Sequence, residues 1–566
     1  MNLESLVSVA KGEAEADLLL TNARIVNTFT AEIEQGNVAI FEGRVVGIGD
    51  YHRGREVIDL KGRYLAPGLI DGHVHLESSM LSPGEYARAV VPRGVTAVVT
   101  DLHEIANVAG LLGMRVMLDS ARGLPLRLYL MVPSCVPATS LETSGATLSH
   151  EDIETALGWE EAIGLGEVMN FPGVLSSDQE VLRKIVSSQQ KVIDGHAPSL
   201  SGRGLNAYIA TGISSDHEST TLEEAREKLR RGMYLMIREG SSEKNLEALL
   251  PLVTDQTYKR CFFVVDDRSC ADLRRDGDID GVVRKAIGLG LAPVRAIQMA
   301  TINTTEHFRL GRVGAVAPGY SANLIVIDDL FSLNIEMVFY EGRLVARDGK
   351  PLFSSSQISD ERMTHTMNVK PFPIEALRIP ARGKTFPVIE VVPAQIITRR
   401  RDEEVRIEDG FVLPQVERDI LKLVVVERHR ATGNIGRGLV KGFGLKSGAM
   451  ASSIAHDSHN IICVGTNDED IHLCLKVVER LGGGLVIASG GKILGSLALP
   501  IAGLLSTEPL ETVVDRLESL ERLAGDLGCS LPSPFSTLSF VALPVIPELR
   551  LTDKGLVDVM AFKIIG

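Results

Sequence analysis

Cysteine is sparse and unpatterned. The six residues (Cys135, Cys261, Cys270, Cys463, Cys474 and Cys529) include no C-x-x-C pair. That excludes a zinc ribbon and a disulfide framework and points to a reducing compartment. A basic excess is also lacking: 59 Lys and Arg stand against 73 Asp and Glu, a formal net charge of −14. Nucleic acid and anionic membranes both demand a basic surface, so neither is an expected partner. The longest apolar stretch, Ile493 to Leu505, is too short to span a bilayer and carries Gly and Pro. The N-terminus is acidic rather than basic-then-apolar, so no secretion signal is visible. No collagen, coiled-coil or solenoid repeat occurs. Gly482-Gly483-Gly484 and Gly490-Gly491 lack Walker or dinucleotide spacing and read as turns. These exclusions leave an enzyme-sized cytoplasmic chain. Its 566 residues are enough for two to four domains.

Short β-rich runs (Asp17–Leu20, Asn37–Phe41, Arg44–Ile48) predict a small β-sandwich or sheet domain at the start. The pattern returns downstream, where Met337 to Val345 resembles Val38 to Val46. Both read as strand, Glu-Gly-Arg turn, strand. One discontinuous domain over 1–66 and 311–350 is therefore expected, with another domain inserted in it. Between them eight apolar runs alternate with helix-like stretches: Leu65–Ile70, Ala97–Thr100, Leu126–Val132, Ile163–Leu165, Val192–Asp194, Ile213–Ser215, Tyr234–Ile237 and Cys261–Val265. Such alternation predicts an α/β unit, a (β/α)8 TIM barrel over 67–310. A polar linker over 351–370, including Ser354-Ser355-Ser356, and a C-terminal α/β domain over 371–566 follow. Amphipathic helices are expected at Asp470–Leu481 and Leu510–Leu527, and strands at Leu421–Val426 and Leu485–Ala488.

Five segments each place a metal-binding side chain just past one of the strand candidates: Asp71-Gly72-His73-Val74-His75, Gly166-Glu167, Asp194-Gly195-His196, Ser215-Asp216-His217 and Val265-Asp266-Asp267. Barrels of this type place their chemistry at those strand ends. His-x-His aims two imidazoles at one point, because residues two apart on a strand share a face. Alone, such a pair reads as core or surface histidines. Glu167 alone reads as a solvated carboxylate, and His196 or His217 alone as a hydrogen-bonded cap. Adjacent Asp266 and Asp267 past a buried strand are costly unless cations or protons offset them. Five bland readings holding together is the less economical account. Four histidines and two or three carboxylates form a nitrogen/oxygen set for two divalent ions, zinc, manganese or iron, rather than a soft thiolate site.

Pro67-Gly68-Leu69-Ile70-Asp71-Gly72-His73-Val74-His75 resembles the signature of the amidohydrolase superfamily. The full set is similar to its binuclear branch, with Glu167 where a carboxylated Lys often stands. The string Asp71 to Ser79, Asp101 to Val108, Arg238-Glu239-Gly240-Ser241 and the extra C-terminal domain resemble the adenine deaminases of that superfamily. The resemblance implies adenine plus water giving hypoxanthine plus ammonia, by a metal-activated hydroxide attacking C6, in purine salvage. It implies His73, His75, Glu167, His196, His217 and Asp266 as metal ligands. Asp266 is preferred to Asp267 because it lies nearer the strand, and it would act as general base then acid. Glu77 is the second catalytic candidate. His103, Glu104, Arg238, Glu239 and Asp267 are mouth-side candidates for contacts to the purine base. Glu77 has an alternative reading as a histidine's partner, and Arg238–Glu239 as a local ion pair. An amide or cyclic-amide hydrolase of the same superfamily is the rival enzyme, and a non-catalytic assembly barrel the rival outside enzymes. In the C-terminal domain, His456 and His459 read as part of a lid, a pocket wall, a packing surface or a further metal site. A homo-oligomer is expected.

Overall fold

The computed structural model describes residues 3–355, 358, 360–393 and 395–565. Five strands come first: β1 (Ala16–Val26), β2 (Ile33–Phe41), β3 (Arg44–Gly49), β4 (Gly54–Asp59) and β5 (Tyr64–Pro67). β1 is long, and its register breaks between Leu20 and Ala23. The two halves take different parallel partners, β4 along Ala16 to Thr21 and β5 at Arg24 and Ile25. The chain then leaves this sheet and returns to it far downstream.

Parallel strands fill the interval. β6 (Leu69–His75), β7 (Val95–Asp101), β8 (Arg127–Val132), β9 (Ala162–Val168) and β10 (Val192–Gly195) pair in sequence order. β11 (Ser215–Asp216), β12 (Tyr234–Arg238) and β13 (Cys261–Val264) form a second parallel set. β14 (Asp266–Asp267) continues β13 after Val265 and pairs in parallel with β6. At the other junction the Ser214 N–H donates to the Ile193 carbonyl at 3.0 Å. Helices such as Leu222–Arg230 and Ile279–Gly288 lie between strands, so the unit is mixed α/β.

The expected first strand, Leu65–Ile70, is two. β5 belongs to the small sheet and β6 to the parallel set. Gly68 is the crossing point, and a Cβ there would lie 2.3 Å from Thr96 Oγ1. Neither Gly68 nor Gly72 has a positive φ. They serve by making room: a Cβ on Gly72 would sit 2.5 Å from the Phe262 ring. β6 also runs on through His75, so both of its histidines lie within the strand rather than beyond it.

β15 (Leu324–Ile327), β16 (Ile335–Tyr340), β17 (Arg343–Arg347) and β18 (Lys350–Pro351) then rejoin the first sheet. The result is one nine-stranded sheet in the order β18-β17-β16-β15-β5-β1-β2-β3, with β4 beside β1. The strands are hydrogen-bonded in one continuous path, secured by β5–β15 pairing, and their apolar faces share a core that includes Leu20, Val38, Leu65, Val326 and Phe339. The two Glu-Gly-Arg repeats are matched hairpins. Glu42 and Gly43 have φ of 46° and 74°, and Glu341 and Gly342 of 48° and 74°. Positive φ at both central residues is the type I′ geometry that suits the twist of paired strands.

The remainder carries an eight-stranded mixed sheet, whose members include Thr385–Val391, Leu421–Val426, Ile461–Gly465 and Gly484–Ser489. Helices Asp468–Arg480 and Leu510–Asp526 pack on it through Ile471, Cys474, Val478, Val513 and Leu517, all buried. Gly490 and Gly491 form a turn whose N–H groups both donate to the Asp470 carboxylate. Those donors are therefore already satisfied. The expected linker is more engaged than a tether, although its Ser356, Gln357 and Ser359 lie outside the described residues. Met363 is buried and its carbonyl accepts from Ala502 N–H, while Asn368 N–H donates to the Arg428 carbonyl. Among the described residues no helix is long and apolar enough to cross a membrane.

Candidate metal centre

Each expected ligand arises at the carboxyl end of a strand, where parallel pairing aims neighbouring side chains at one axis. Glu167, on β9, lies among the imidazoles. Its Oε1 is 3.3 Å from His75 Nε2 and 4.0 Å from His73 Nε2. Its Oε2 is 2.5 Å from His196 Nδ1 and 3.1 Å from His217 Nε2. One carboxylate therefore faces two histidine pairs with different oxygens. Asp266 Oδ1 adds a second carboxylate to the first pair, 3.0 Å from His75 Nε2 and 3.5 Å from His73 Nε2. The His73 and His217 rings stack with centroids 4.4 Å apart, so the two pairs adjoin.

The donor chemistry fits divalent cations. His75 Nδ1 donates to the Asp101 carbonyl at 3.0 Å, which leaves the Nε2 lone pair free to ligate. His73 is 1% exposed, and no hydrogen bond reaches either ring nitrogen. A buried imidazole in that state is costly unless an ion fills the gap. Combinations of these residues lie within ligating distance of a common point, among them His73, His75 and Asp266, and His73, Glu167 and His217. In the ion-free arrangement burial opposes charge on Glu167. His196 and His217 outweigh it and hold the carboxyl well below its usual range. Burial also opposes charge on Asp266, where the neighbouring His73 and His75 imidazoles, with Arg238 nearby, reverse the shift.

Supporting groups hold these ligands from behind. Asp101 Oδ2 accepts the Glu167 N–H at 3.1 Å, and a Cβ on the intervening Gly166 would fall 1.9 Å from that oxygen. Asp71 accepts from the His73 and Val265 N–H groups, tying β6 to the β13–β14 junction.

The remaining candidates divide. Glu77 is buried in the short helix Leu76–Ser79. Its Oε1 accepts from Ile105 N–H at 3.1 Å and its Oε2 has no partner. Burial, then the Glu104 charge, pushes its carboxyl up to about 7. No histidine bonds to it. His103 opens helix His103–Ser120, with Nδ1 3.7 Å from Glu167 Oε1 and Nε2 3.4 Å from Glu104 Oε1. Arg238 is not paired with Glu239. Its guanidinium contacts Glu218 and, at 2.7 Å, Asp266 Oδ2. Asp267 stands apart from the histidines and accepts from Ser78 Oγ.

Glu239 is not brought to the cluster. It lies just past the end of β12, and its carboxylate meets Lys285 and the Leu246 N–H. Glu239→Gln should leave kcat/KM within about threefold and cost on the order of 1–3 kcal/mol in stability, because the carboxylate that loses its charge is buried beside Lys285. Steady-state rates and urea unfolding check this.

Sequence reasoning missed Glu218. Its Oε1 lies 3.5 Å from His217 Nε2 and 3.8 Å from His196 Nδ1. Alternation would turn it away from His217. β11 ends at Asp216, however, so the strand rule lapses before Glu218 is reached. Its only sequence signal is a carboxylate directly after a ligand histidine. The C-terminal domain also reaches the site. His456 Nδ1 is 2.7 Å from Glu104 Oε1, and His459 Nε2 bonds to Glu104 Oε2. His459 Nδ1 accepts from Ala455 N–H, so its proton sits on Nε2 and is given to Glu104. These contacts clamp the two domains together, and Glu104, His456 and His459 also lie close enough to share one ion.

Residues 64–345 match the model of the amidohydrolase family, and residues 395–563 match the adenine deaminase C-terminal domain. An adenine deaminase of Dehalococcoides mccartyi is 60% identical over 100% of this chain and 99% of its own. Adenine deaminase 2 of Carboxydothermus hydrogenoformans is 50% identical over the same shares. An adenine deaminase of Clostridium acetobutylicum is 45% identical over 99% of each chain. With relatives this similar along their whole length, and a matching domain at each end, the chain belongs to the adenine deaminase family of amidohydrolases.

Proposed function

We propose that this chain hydrolyses adenine to hypoxanthine and ammonia at the mouth of a (β/α)8 barrel built from β6 to β14. The full-length relatives support the reaction. The observation that carries the site is Glu167, whose two oxygens serve two histidine pairs. In this reading the barrel spans 67–310 and interrupts a small sheet domain over 1–66 and 311–350. Residues 351–370 lead to the C-terminal domain over 371–566. The protein works in the cytoplasm as a homo-oligomer, and acts in purine salvage.

His73, His75, Asp266 and Glu167 Oε1 would hold one divalent cation, and His196, His217 and Glu167 Oε2 the other. Imidazole and carboxylate donors suit manganese, our first assignment, or iron or zinc. When bound, the pair supplies a water acidic enough to act as a nucleophile near neutral pH. The chain's own residues do the rest. Asp266 takes the water's proton as oxygen adds to C6, while Arg238 holds the second carboxylate oxygen in place. Glu77, a carboxyl whose hold on a proton burial strengthens, gives that proton to ring N1 as negative charge develops there. Asp266 then passes its proton to the amine, the C6–N bond breaks, and ammonia leaves. The hydroxyl proton on C6 returns to Glu77 as the carbonyl of hypoxanthine forms.

Manganese-loaded protein should release ammonia from adenine and from none of adenosine, cytosine and guanine. Hydrolysis of N-acetyl sugars or hydantoins, with no ammonia from adenine, would establish the rival amide-hydrolase reading instead.

A further inference from the structure

A cavity of about 90 Å³ lies between the barrel mouth and the C-terminal domain. One water needs roughly 10–15 Å³ on this measure, so the space admits several waters or one small ring system. Ser78 and Asp267 line it from the barrel. His456, Ser539 and Phe540 line it from the C-terminal domain. The wall is built. The His456 ring stacks on Phe540 with centroids 4.5 Å apart and planes at 22°, and its Nδ1 is committed to Glu104 at 2.7 Å. Among the described residues no hydrogen bond uses His456 Nε2 or Asp267 Oδ2, since the Ser78 hydroxyl is taken by Oδ1. Ser539 is 2% exposed, and its hydroxyl has no partner. Unsatisfied polar groups around a small cavity call for a ligand with complementary donors and acceptors. Burial opposes charge on His456, but Glu104 outweighs it and pushes the imidazole up to about 9, so Nε2 carries a proton at neutral pH. The cavity thus offers a donor and a carboxylate oxygen as acceptor from opposite domains.

Adenine presents the matching edge. N3 lies across the six-membered ring from C6, and N9–H stands beside it. With C6 at the histidine cluster, that edge is the one left for the outer wall. We propose that His456 Nε2 donates to N3 while Asp267 accepts from N9–H, so that the C-terminal domain supplies a positioning residue and the pair selects the free base. This rests on the adenine reading above. A substituent at N9 removes the proton that Asp267 needs and meets the Phe540 wall.

The test uses the manganese-loaded full-length enzyme, with adenine as substrate and 3-deazaadenine and 9-methyladenine as competing ligands. Wild type should bind each analogue at least about tenfold more weakly than adenine, the scale of one lost hydrogen bond to a charged group. His456→Asn should raise KM for adenine by about tenfold with kcat changed by less than about threefold. It should leave the inhibition constant of 3-deazaadenine within twofold. Asp267→Asn should show the same split against 9-methyladenine. A purely structural role would weaken adenine and its analogue alike, and that result overturns the proposal. So does wild-type protein that binds 3-deazaadenine as tightly as adenine, a measurement needing no variant. Absence of ammonia from adenine in wild type would instead remove the underlying function.

Discussion

Glu167→Ala loses deaminase activity by at least about 10³-fold, because it removes the one group serving both histidine pairs. That is a floor, since the variant forgoes a water acidified from about 15.7 to about 7. The loss should be a metal loss. Purified variant should carry fewer than two equivalents of manganese by elemental analysis, where wild type carries two. It should also stay folded. The main-chain bonds of residue 167, its N–H to Asp101 and its carbonyl from Ser134 Oγ, do not involve the side chain. Far-UV circular dichroism should therefore match wild type. Glu167→Gln keeps the volume and removes the charge, and it should fall nearly as far, since a neutral amide oxygen is a poor bridge between cations. A folded Glu167→Ala protein with full activity and little bound metal would defeat the two-ion scheme.

How far the site was legible in the sequence depends on the distance over which each decision is made. His73, His75, Glu167, His196, His217 and Asp266 were legible because each follows a short apolar run, and run plus ligand is a local pattern. Their convergence follows from parallel order alone. The hairpins at Glu42-Gly43 and Glu341-Gly342 were legible for the same reason, as a repeated turn motif. The division of 65–75 into two strands was not, because the space Gly68 needs is set by Thr96 on the neighbouring strand. Glu218 and Glu239 exchanged expected places. Both lie just past a strand end, β12 at Arg238 and β11 at Asp216, where alternation no longer decides which way a side chain turns. The partners of Glu104 lie more than 350 residues away, at His456 and His459. Nothing near Glu104 announces them. Its pairing was decided by docking of two domains, which no periodicity encodes.

Glu77→Gln separates catalysis from stability, because the two effects have opposite signs. In the folded, metal-free protein burial and the Glu104 charge place the Glu77 carboxyl at about 7, against a usual value of 4.5. The folded state therefore binds more protons than the unfolded chain between those values. Stability falls as pH rises through that window and levels off above it. Glutamine carries no charge at any pH, so it escapes the penalty. Metal-free Glu77→Gln should be more stable than the parent at pH 8 by on the order of 2 kcal/mol, and nearly equal to it at pH 4.5. Urea unfolding at the two pH values reads this directly. Activity should move the other way. A buried acid that protonates N1 is worth about 10²- to 10⁴-fold, so kcat should fall by that factor with both metal equivalents retained. The kcat profile of wild type should decline as pH rises and the acid loses its proton, and that limb should vanish in the variant. Bound cations favour the ionised carboxylate, so the holoenzyme limb should lie below the metal-free value. A variant that gained stability at pH 8 and kept wild-type kcat would reassign Glu77 as a strained structural carboxyl, with the N1 proton supplied from elsewhere.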